Sequence, residues 1–248
     1  MDWISGASPR SLARIAGALY LVNIVGGAIA IGFVPAALIV DGDPAATAHN
    51  IVANELLYRS ALAAHLIVTV TNVPLAVIFY ELFKVVNRRV ALLVVFFTLV
   101  GTAVESASLL YQFATLAVLN GARYSSALTT QQLQALAYLP LALPAYDIST
   151  VFFGFNALAL GYLVFRSTFL PRVIGGLLVI DGLSYLVYSF ADIVSPAFAG
   201  HLVPWIQLPI LPAEGSLCVW FLVAGVNVQR WRERAEATLI PGLVPRGG

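Results

Sequence analysis

Charged side chains are scarce in this chain: Asp, Glu, Lys and Arg make up 10% of its 248 residues, whereas 60% are apolar. A soluble globular domain carries roughly a quarter of its residues as charged side chains. The charges are therefore too few to solvate the surface of a water-soluble domain, and we expect lipid to surround most of the chain. The formal net charge of +1 also leaves no basic surface for phosphates, which excludes a nucleic-acid-binding protein.

Cysteine, lysine and histidine are also rare, and their scarcity excludes several kinds of site. Cys218 is the single cysteine, so no disulfide can form within the chain. The single lysine, Lys84, lies at the end of an apolar run, which excludes a retinal Schiff base in mid-membrane. His49 and His201 are expected in outer loops, so a three-histidine zinc site cannot form inside the membrane. A mixed site of His65 with two carboxylates stays open, although no ligand spacing indicates one. We expect no metal and no organic cofactor, since nucleotide-binding glycine motifs are missing as well.

Long apolar runs predict the fold class, an all-α integral membrane bundle of six transmembrane helices. A crossing takes about 20 apolar residues, and a helix satisfies its own backbone groups in lipid. Residues 1–238 are predicted to form one membrane domain. Its spans are predicted at about residues 12–40, 60–83, 90–119, 137–165, 173–194 and 209–228.

Two segments lie outside these spans. Asp43 and Pro44 have the pattern of a helix N-cap followed by proline at the first helical position. They predict a short amphipathic helix on the outer membrane surface between spans one and two. Residues 239–248 form a C-terminal tail, in which Leu243–Gly247 matches a thrombin recognition site. We interpret the tail as a remnant of expression and leave it out of the fold.

The distribution of basic residues predicts the orientation. They cluster before span one, between spans two and three, between spans four and five, and after span six, whereas the opposite side carries only Arg59 and Arg123. Cytoplasmic loops of membrane proteins carry an excess of Lys and Arg. Both termini are therefore predicted to be cytoplasmic.

Polar residues inside the spans fall on one face of each helix at about 100° per residue. Stripes of Ser, Thr and Gly alone are typical of helix packing in membranes. The stripes of spans two to six also hold titratable groups, in chain order His65, Glu105, Asp147, Asp181 and Glu214. These must face protein, because lipid penalises an exposed ionised group heavily, and no Lys or Arg lies within a span to pair with the four carboxyls.

Depth along the helices predicts that the five groups line one pocket. At about 1.5 Å per residue, His65, Glu105 and Glu214 lie roughly 8 Å below the outer surface, and Asp147 and Asp181 lie near the midplane. The pocket would open outward and end in mid-membrane. A low dielectric disfavours ionised carboxyls, so we expect one or more to be protonated near neutral pH. Such groups serve as general acids, proton carriers or cation ligands, or they simply hydrogen-bond across helices.

Three stretches of the chain carry a family resemblance. They are Arg14-Ile-Ala-Gly-Ala-Leu-Tyr-Leu21, then Asp43–Ile51 with Glu55 and Arg59, and Phe152-Phe-Gly-Phe-Asn-Ala-Leu-Ala-Leu-Gly-Tyr-Leu163 with Arg166, Ser167 and Leu170–Arg172. The chain resembles the bacterial domain of unknown function 4386 family over about residues 10 to 228, and Glu214 fits its last span. The resemblance implies a six- or seven-span protein of the bacterial inner membrane and brings no established activity.

The leading functional hypothesis is an intramembrane acid–base enzyme that protonates, cyclises or isomerises a hydrophobic isoprenoid- or lipid-like molecule. Glu105 or Asp147 would be the general acid, and His65 or Asp181 would accept the proton, with Glu214 completing the set. The residues predicted to line the substrate are Tyr111, Gln112, Asn156, Tyr185, Tyr188 and Trp220. Aromatic faces among them would stabilise cationic intermediates.

Two alternatives stay open. The same carboxyls would serve a transporter or receptor for a small organic cation, or a proton-coupled carrier. They would also serve a structural or accessory subunit, by pairing with basic residues of another protein. In each case membrane lipid is an expected partner, a hydrophobic small molecule is the ligand of the leading hypothesis, and the oligomeric state is left open.

Overall fold

The computed structural model describes residues 8–121, 128–142 and 145–239, apart from the side chains of residues 145–147 and 239. This part of the chain is helical, and it contains no strand. The all-α fold class predicted from the sequence is therefore confirmed. The thrombin-site-like tail from residue 240 on and the side chain of Asp147 lie outside the described residues.

The first helix, α1, runs over Pro9–Leu38 and contains a π-helical stretch at Ala28–Phe33. At the end of that stretch the amide N–H of Val34 donates to the carbonyl of Ile29, five residues back instead of four. The wide turn directly precedes Pro35, which has no N–H and whose ring would crowd the carbonyl of the preceding turn in a regular helix. The helix thus continues past a proline by widening one turn.

The second helix, α2, covers Pro44–Ala53 and confirms the predicted capping pattern. The Asp43 carboxylate accepts hydrogen bonds from the amides of Ala45 and Ala46, at 3.1 and 2.9 Å. Pro44 stands at the start of the helix, where its missing N–H costs nothing. The sequence therefore predicted correctly where this short helix begins.

A helical stretch of 65 residues, Glu55–Leu119, is broken at Asn87, where φ is −157° and ψ is 107°. We call residues 55–86 α3 and residues 88–119 α4. The side-chain oxygen of Asn87 accepts from the amides of Arg89 and Val90, at 3.1 and 3.2 Å. Asn87 is thus the N-cap of α4, and it ends one helix and starts the next without an intervening loop.

The helix expected to start at Ala137 starts later. Thr130–Tyr138 forms a separate helix, α5, with its own capping box, and a tight turn follows at Leu139–Leu141. The long helix α6 then runs over Ala145–Arg166. Pro140 lies in the turn and cannot supply the amide that a continuous helix needs there, which explains the break.

Five further elements complete the described chain. They are α7 (Arg172–Val194), α8 (Pro196–Leu202), a turn at Trp205–Gln207, α9 (Ile210–Val223) and α10 (Val228–Leu239). α7 agrees with the predicted fifth span. α9 ends before the predicted Val228 because Gly225 adopts a φ of +67°, a left-handed conformation that terminates helices and favours glycine.

Several helices have the length and composition of membrane spans. Within the described residues, five stretches qualify: Pro9–Leu38, Glu55–Leu119, Ile148–Arg166, Arg172–Val194 and Trp205–Val223. Large apolar side chains cover their outer faces, with Leu56 and Val194 each 81% exposed. Such faces are poorly compatible with water and are what a lipid-facing helix presents. The chain is therefore a membrane protein.

The helices form two compact units, which we describe separately. Unit 1 contains residues 8–21, 72–101 and 150–239, and unit 2 contains the described residues of 22–71 and 102–149. The core of unit 1 is built around fully buried Phe83, Leu163 and Phe221. The core of unit 2 is built around Ile51, Leu62 and Leu109.

Candidate functional site

Unit 2 contains a buried histidine–glutamate pair. His65 on α3 and Glu105 on α4 are 1% and 3% exposed, and Nε2 of His65 lies 3.0 Å from Oε1 of Glu105. An imidazolium with a carboxylate and a neutral imidazole with a carboxylic acid are the two states of this pair that have no net charge. An apolar surrounding tolerates such a pair because neither state leaves an uncompensated charge.

Three polar atoms at this pair have no hydrogen-bond partner within the described residues. They are Nδ1 of His65, Oε2 of Glu105 and Oγ1 of Thr102. Thr102 lies three residues before Glu105, so the two side chains share one face of α4. A buried polar atom without a partner costs about 1–3 kcal/mol. Each of the three can donate to or accept from a polar group of a ligand.

Two nearby hydroxyls on these helices bond to their own helix, whereas that of Thr115 on α4 donates to the carbonyl of Ala137 on α5 at 2.9 Å. The hydroxyl of Thr69 donates to the carbonyl of Leu66 at 2.9 Å, and that of Ser108 donates to the carbonyl of Glu105 at 2.6 Å. A hydroxyl bonded back to its own helix is typical of packing in membranes. These hydroxyls therefore have hydrogen-bond partners, unlike the three unsatisfied atoms of His65, Glu105 and Thr102.

Close approach of α1 explains why this face of α3 is buried. A Cβ on Gly26 would lie 2.6 Å from Cγ2 of Val68, so a larger residue there would force the Val68 side chain to move. Three residues earlier on α1, the side-chain oxygen of Asn23 accepts from the hydroxyl of Thr71 at 2.6 Å. A glycine contact and a polar contact therefore fix α1 against the helix that carries His65.

Two predicted substrate-lining residues of α4 differ in where they point. Gln112 is half-buried and lies on the face of Glu105, two turns further along, where its backbone carbonyl accepts from the hydroxyl of Tyr58 at 3.1 Å. Tyr111 is 45% exposed. It lies about 120° around the helix from Glu105. The structure therefore does not bring Tyr111 to the pair.

Unit 1 contains a second acidic pair. Asp181 on α7 is 0% exposed, and neither of its carboxyl oxygens has a hydrogen-bond partner within the described part of the chain. Glu214 on α9 is half-buried, and its Oε1 accepts from the hydroxyl of Tyr185 at 3.3 Å. Asp181 and Glu214 interact electrostatically, and the Tyr20 hydroxyl from α1 interacts with both.

Glycines before and after Asp181 bring α7 against α6. A Cβ on Gly182 would lie 2.7 Å from the carbonyl oxygen of Gly154, and one on Gly175 would lie 2.5 Å from the backbone nitrogen of Phe165. α6 and α7 therefore pack backbone to backbone, as small residues allow between membrane helices.

The other residues of unit 1 that were predicted to line the substrate lie in different surroundings. The side-chain amide of Asn156 donates to the carbonyl of Val94 and to Oγ1 of Thr98, at 2.8 and 2.6 Å, which is a helix-packing contact. Tyr188 is half-buried on α7, one turn beyond Ser184. Trp220 is 38% exposed on α9. Among the residues predicted to line the substrate, Tyr185 contacts the acidic pair through its hydrogen bond to Glu214.

The five titratable groups of the predicted pocket are thus distributed over two pairs. His65 and Glu105 form one in unit 2, and Asp181 and Glu214 form the other in unit 1. Asp147 lies in the first turn of α6, and its side chain is outside the described residues. A single pocket that contains all five stays a prediction.

Tyr20 interacts electrostatically with both carboxyls of the acidic pair, and it is not among the site residues predicted from the sequence. It lies on α1, which holds none of the five titratable groups. The sequence did contain a signal for Tyr20, because a tyrosine hydroxyl within an apolar span needs a polar neighbour. Over the described ranges, no group of three or more His, Cys, Asp and Glu side chains is placed to hold a metal ion.

Comparison with known proteins identifies a family and no activity. No curated protein and no solved structure matches the chain. The sequence model described as Domain of unknown function (DUF4386) matches residues 15–225. The matched range includes both pairs and every helix from α2 to α9. The chain therefore belongs to the DUF4386 family.

Proposed function

We propose that the chain crosses the bacterial inner membrane six times, with both termini in the cytoplasm. A straight helix of 65 residues would be about 97 Å long, roughly three times the hydrocarbon thickness. The break at Asn87 divides this stretch into two helices of membrane-spanning length. Together with α1, α6, α7 and α9 they make six crossings, and the basic loops then fall on one side.

We further propose that the protein carries out acid–base chemistry on a hydrophobic molecule at the His65–Glu105 pair. One observation carries the proposal: a weak acid and a weak base share a 3.0 Å hydrogen bond in a buried place, and each keeps one unsatisfied polar atom. General acid–base catalysis needs a donor and an acceptor within reach of one substrate. We assign these two roles to the atoms that have no hydrogen-bond partner within the described residues, Oε2 of Glu105 and Nδ1 of His65.

Proton balance supports an isomerisation in particular. Protonated Glu105 delivers its Oε2 proton to an alkene or carbonyl, and the resulting carboxylate accepts a hydrogen bond from Nε2–H of His65. Nδ1 of His65 then removes a proton from an adjacent carbon of the substrate. The Nε2 proton passes to Oε1 of Glu105 and restores the starting charges without any co-reactant. The next turnover runs in the opposite sense, with Nδ1–H donating and Oε2 accepting, and it restores the original proton positions.

The charge of the pair indicates the substrate class. Because a buried site favours the states of the pair that have no net charge, a charged ligand would add an uncompensated charge. A molecule with an apolar carbon skeleton and one neutral oxygen fits better, and Thr102 Oγ1 can hydrogen-bond to that oxygen. Isoprenoid and lipid-like alcohols or carbonyl compounds have this chemistry.

Solvent deuterium tests the proposal without knowledge of the substrate. Membranes that contain the chain are incubated in D₂O with extracted bacterial lipids, and mass spectrometry detects lipids that gain one non-exchangeable deuterium. Wild-type protein should label at least one neutral lipid, and Glu105→Gln and His65→Gln should lower labelling by about 10²–10⁴-fold. Glu81→Gln is the matched control, since Glu81 pairs with Lys84 at the end of α3.

The outcome that contradicts the proposal is equal labelling by wild type and Glu105→Gln, or no labelling above membranes that lack the chain. If labelling is absent while liposomes take up an organic cation in a manner dependent on Glu105 and Glu214, the carrier hypothesis replaces the enzyme hypothesis.

A further inference from the structure

The acidic pair of unit 1 has no counterpart of opposite charge within the described chain. The ion pairs of the described part involve Glu55, Glu81 and Glu105, and none involves Asp181 or Glu214. Asp181 is fully buried with two unsatisfied oxygens. An ionised carboxylate in such a place costs several kcal/mol unless a proton or a cation neutralises it, on the order of the desolvation penalty for one ion.

Within the described residues, the groups around Asp181 supply oxygen and no cationic nitrogen. Tyr185 lies one turn beyond Asp181 on α7, and its hydroxyl donates to Glu214 of α9 at 3.3 Å. Glu214 interacts electrostatically with Asp181, and Tyr20 of α1 interacts electrostatically with both carboxyls. Cys218, one turn beyond Glu214, also interacts with Tyr20, and its thiol donates to the carbonyl of Gly17 at 3.4 Å. Carboxylate and hydroxyl oxygens are hard donors, which suit alkali and alkaline-earth cations rather than transition metals.

Charge balance selects a monovalent cation. Two neighbouring carboxyls lose their first proton more readily than their second, because the second ionisation creates like charges side by side. One Na⁺ together with one retained proton leaves the pair neutral. Mg²⁺ requires six ligands in near-octahedral geometry and loses its water reluctantly, which a buried set of two carboxyls and two phenol groups does not match.

We propose that Asp181 and Glu214, together with the hydroxyls of Tyr20 and Tyr185, form a binding site for one Na⁺ ion that exchanges with a proton. Half-buried Glu214 is the member from which the ion enters, and fully buried Asp181 is the member that holds it. The site goes beyond the acid–base chemistry proposed for His65 and Glu105, and it uses none of the same residues.

Thermal unfolding of the purified full-length protein in detergent tests the site, with NaCl compared against choline chloride at equal ionic strength. A ligand that binds only the folded state raises the unfolding temperature in a saturable way. We expect Na⁺ to do so and choline to have no such effect. One proton competes with one Na⁺. Below the pH at which the pair takes up its second proton, the half-saturating Na⁺ concentration should therefore rise about tenfold for each pH unit.

Asp181→Asn and Glu214→Gln should each abolish the Na⁺ effect, and Tyr185→Phe should raise the half-saturating Na⁺ concentration. Asp192→Asn is the matched control, because Asp192 is a half-buried acid on the same helix. Glu214→Gln keeps the test decisive if Asp181→Asn does not fold. Equal stabilisation by Na⁺ and choline, a Na⁺ effect retained in Glu214→Gln, or no dependence on pH would each overturn the proposal.

Discussion

The hydrogen bond between His65 and Glu105 joins α3 to α4, and it places a proton between the two side chains. Glu105→Ala should lower the free energy of unfolding by about 1–3 kcal/mol, because it leaves His65 Nε2 buried without a partner. Glu105→Gln should cost less, since its amide oxygen still accepts the hydrogen bond. Reversible unfolding in mixed micelles of increasing SDS content measures both.

A double-mutant cycle with His65→Ala isolates the bond itself. We expect a coupling energy of about 0.6–2 kcal/mol, the range of polar contacts between membrane helices. Strictly additive losses from His65→Ala and Glu105→Ala would contradict a hydrogen bond that stabilises the fold.

At the scale of residues, the sequence predicted which titratable residues belong to the candidate site, but it did not predict which of them form pairs. His65 and the carboxyls stood out because each interrupts an apolar run. Helical periodicity gives the face of each residue on its own helix, but not the rotation of one helix against another. Glu105 and Glu214 were predicted at the same depth as His65, so the partner of His65 could not be chosen from sequence.

At the scale of helices, the contact between α6 and α7 depends on glycine. Gly175→Ala places a methyl group 2.5 Å from the backbone nitrogen of Phe165, and backbone cannot move aside as a side-chain tip can. We expect the unfolding temperature to drop, with a loss of about 1–3 kcal/mol as for other overpacked sites. Gly176→Ala is the neighbouring control, because nothing lies within 4 Å of a Cβ there.

Wild-type stability of Gly175→Ala, or an equal loss in Gly176→Ala, would show that the two helices do not touch as described. Differential scanning fluorimetry in detergent distinguishes the two variants.

The break at Asn87 makes a second prediction about helices. Asn87→Ala removes the acceptor for the amides of Arg89 and Val90 and should cost about 0.5–2 kcal/mol. Asn87→Asp retains an acceptor and adds a negative charge at the N-terminus of α4, which a helix dipole favours. Equilibrium unfolding should therefore rank Asn87→Ala clearly below both wild type and Asn87→Asp, and indistinguishable variants would refute the capping role.

The sequence predicted a helix correctly where one signal, such as hydropathy or a capping pattern, dominates. It predicted helices incorrectly where two such signals conflict. Apolar runs gave α7 within one residue, and a capping pattern gave α2. The late start of α6 was missed because apolar side chains continue through Pro140, so hydropathy outweighed the missing amide. α10 was missed because it is polar, and its position rests on tertiary contacts such as the indole N–H of Trp231, which donates to the carbonyl of Leu82 at 2.9 Å.

At the scale of the whole molecule, the basic residues and the break at Asn87 lead to one testable topology. With six crossings, the segment around Arg89 faces the cytoplasm, and the segment that follows α4 at Asn120 faces the periplasm. Both side chains are exposed. The only native cysteine, Cys218, is buried and can be replaced by alanine to give a background without thiols.

In that background, a membrane-impermeant maleimide applied to intact spheroplasts should label Asn120→Cys and leave Arg89→Cys unlabelled. Arg89→Cys should react only after the membrane is opened, because the reagent cannot otherwise reach the cytoplasm. Labelling of both cysteines from outside would mean that the segment between α3 and α4 does not form a cytoplasmic turn. The reverse pattern would invert the orientation, and it would place α2, which precedes α3 directly, on the cytoplasmic surface.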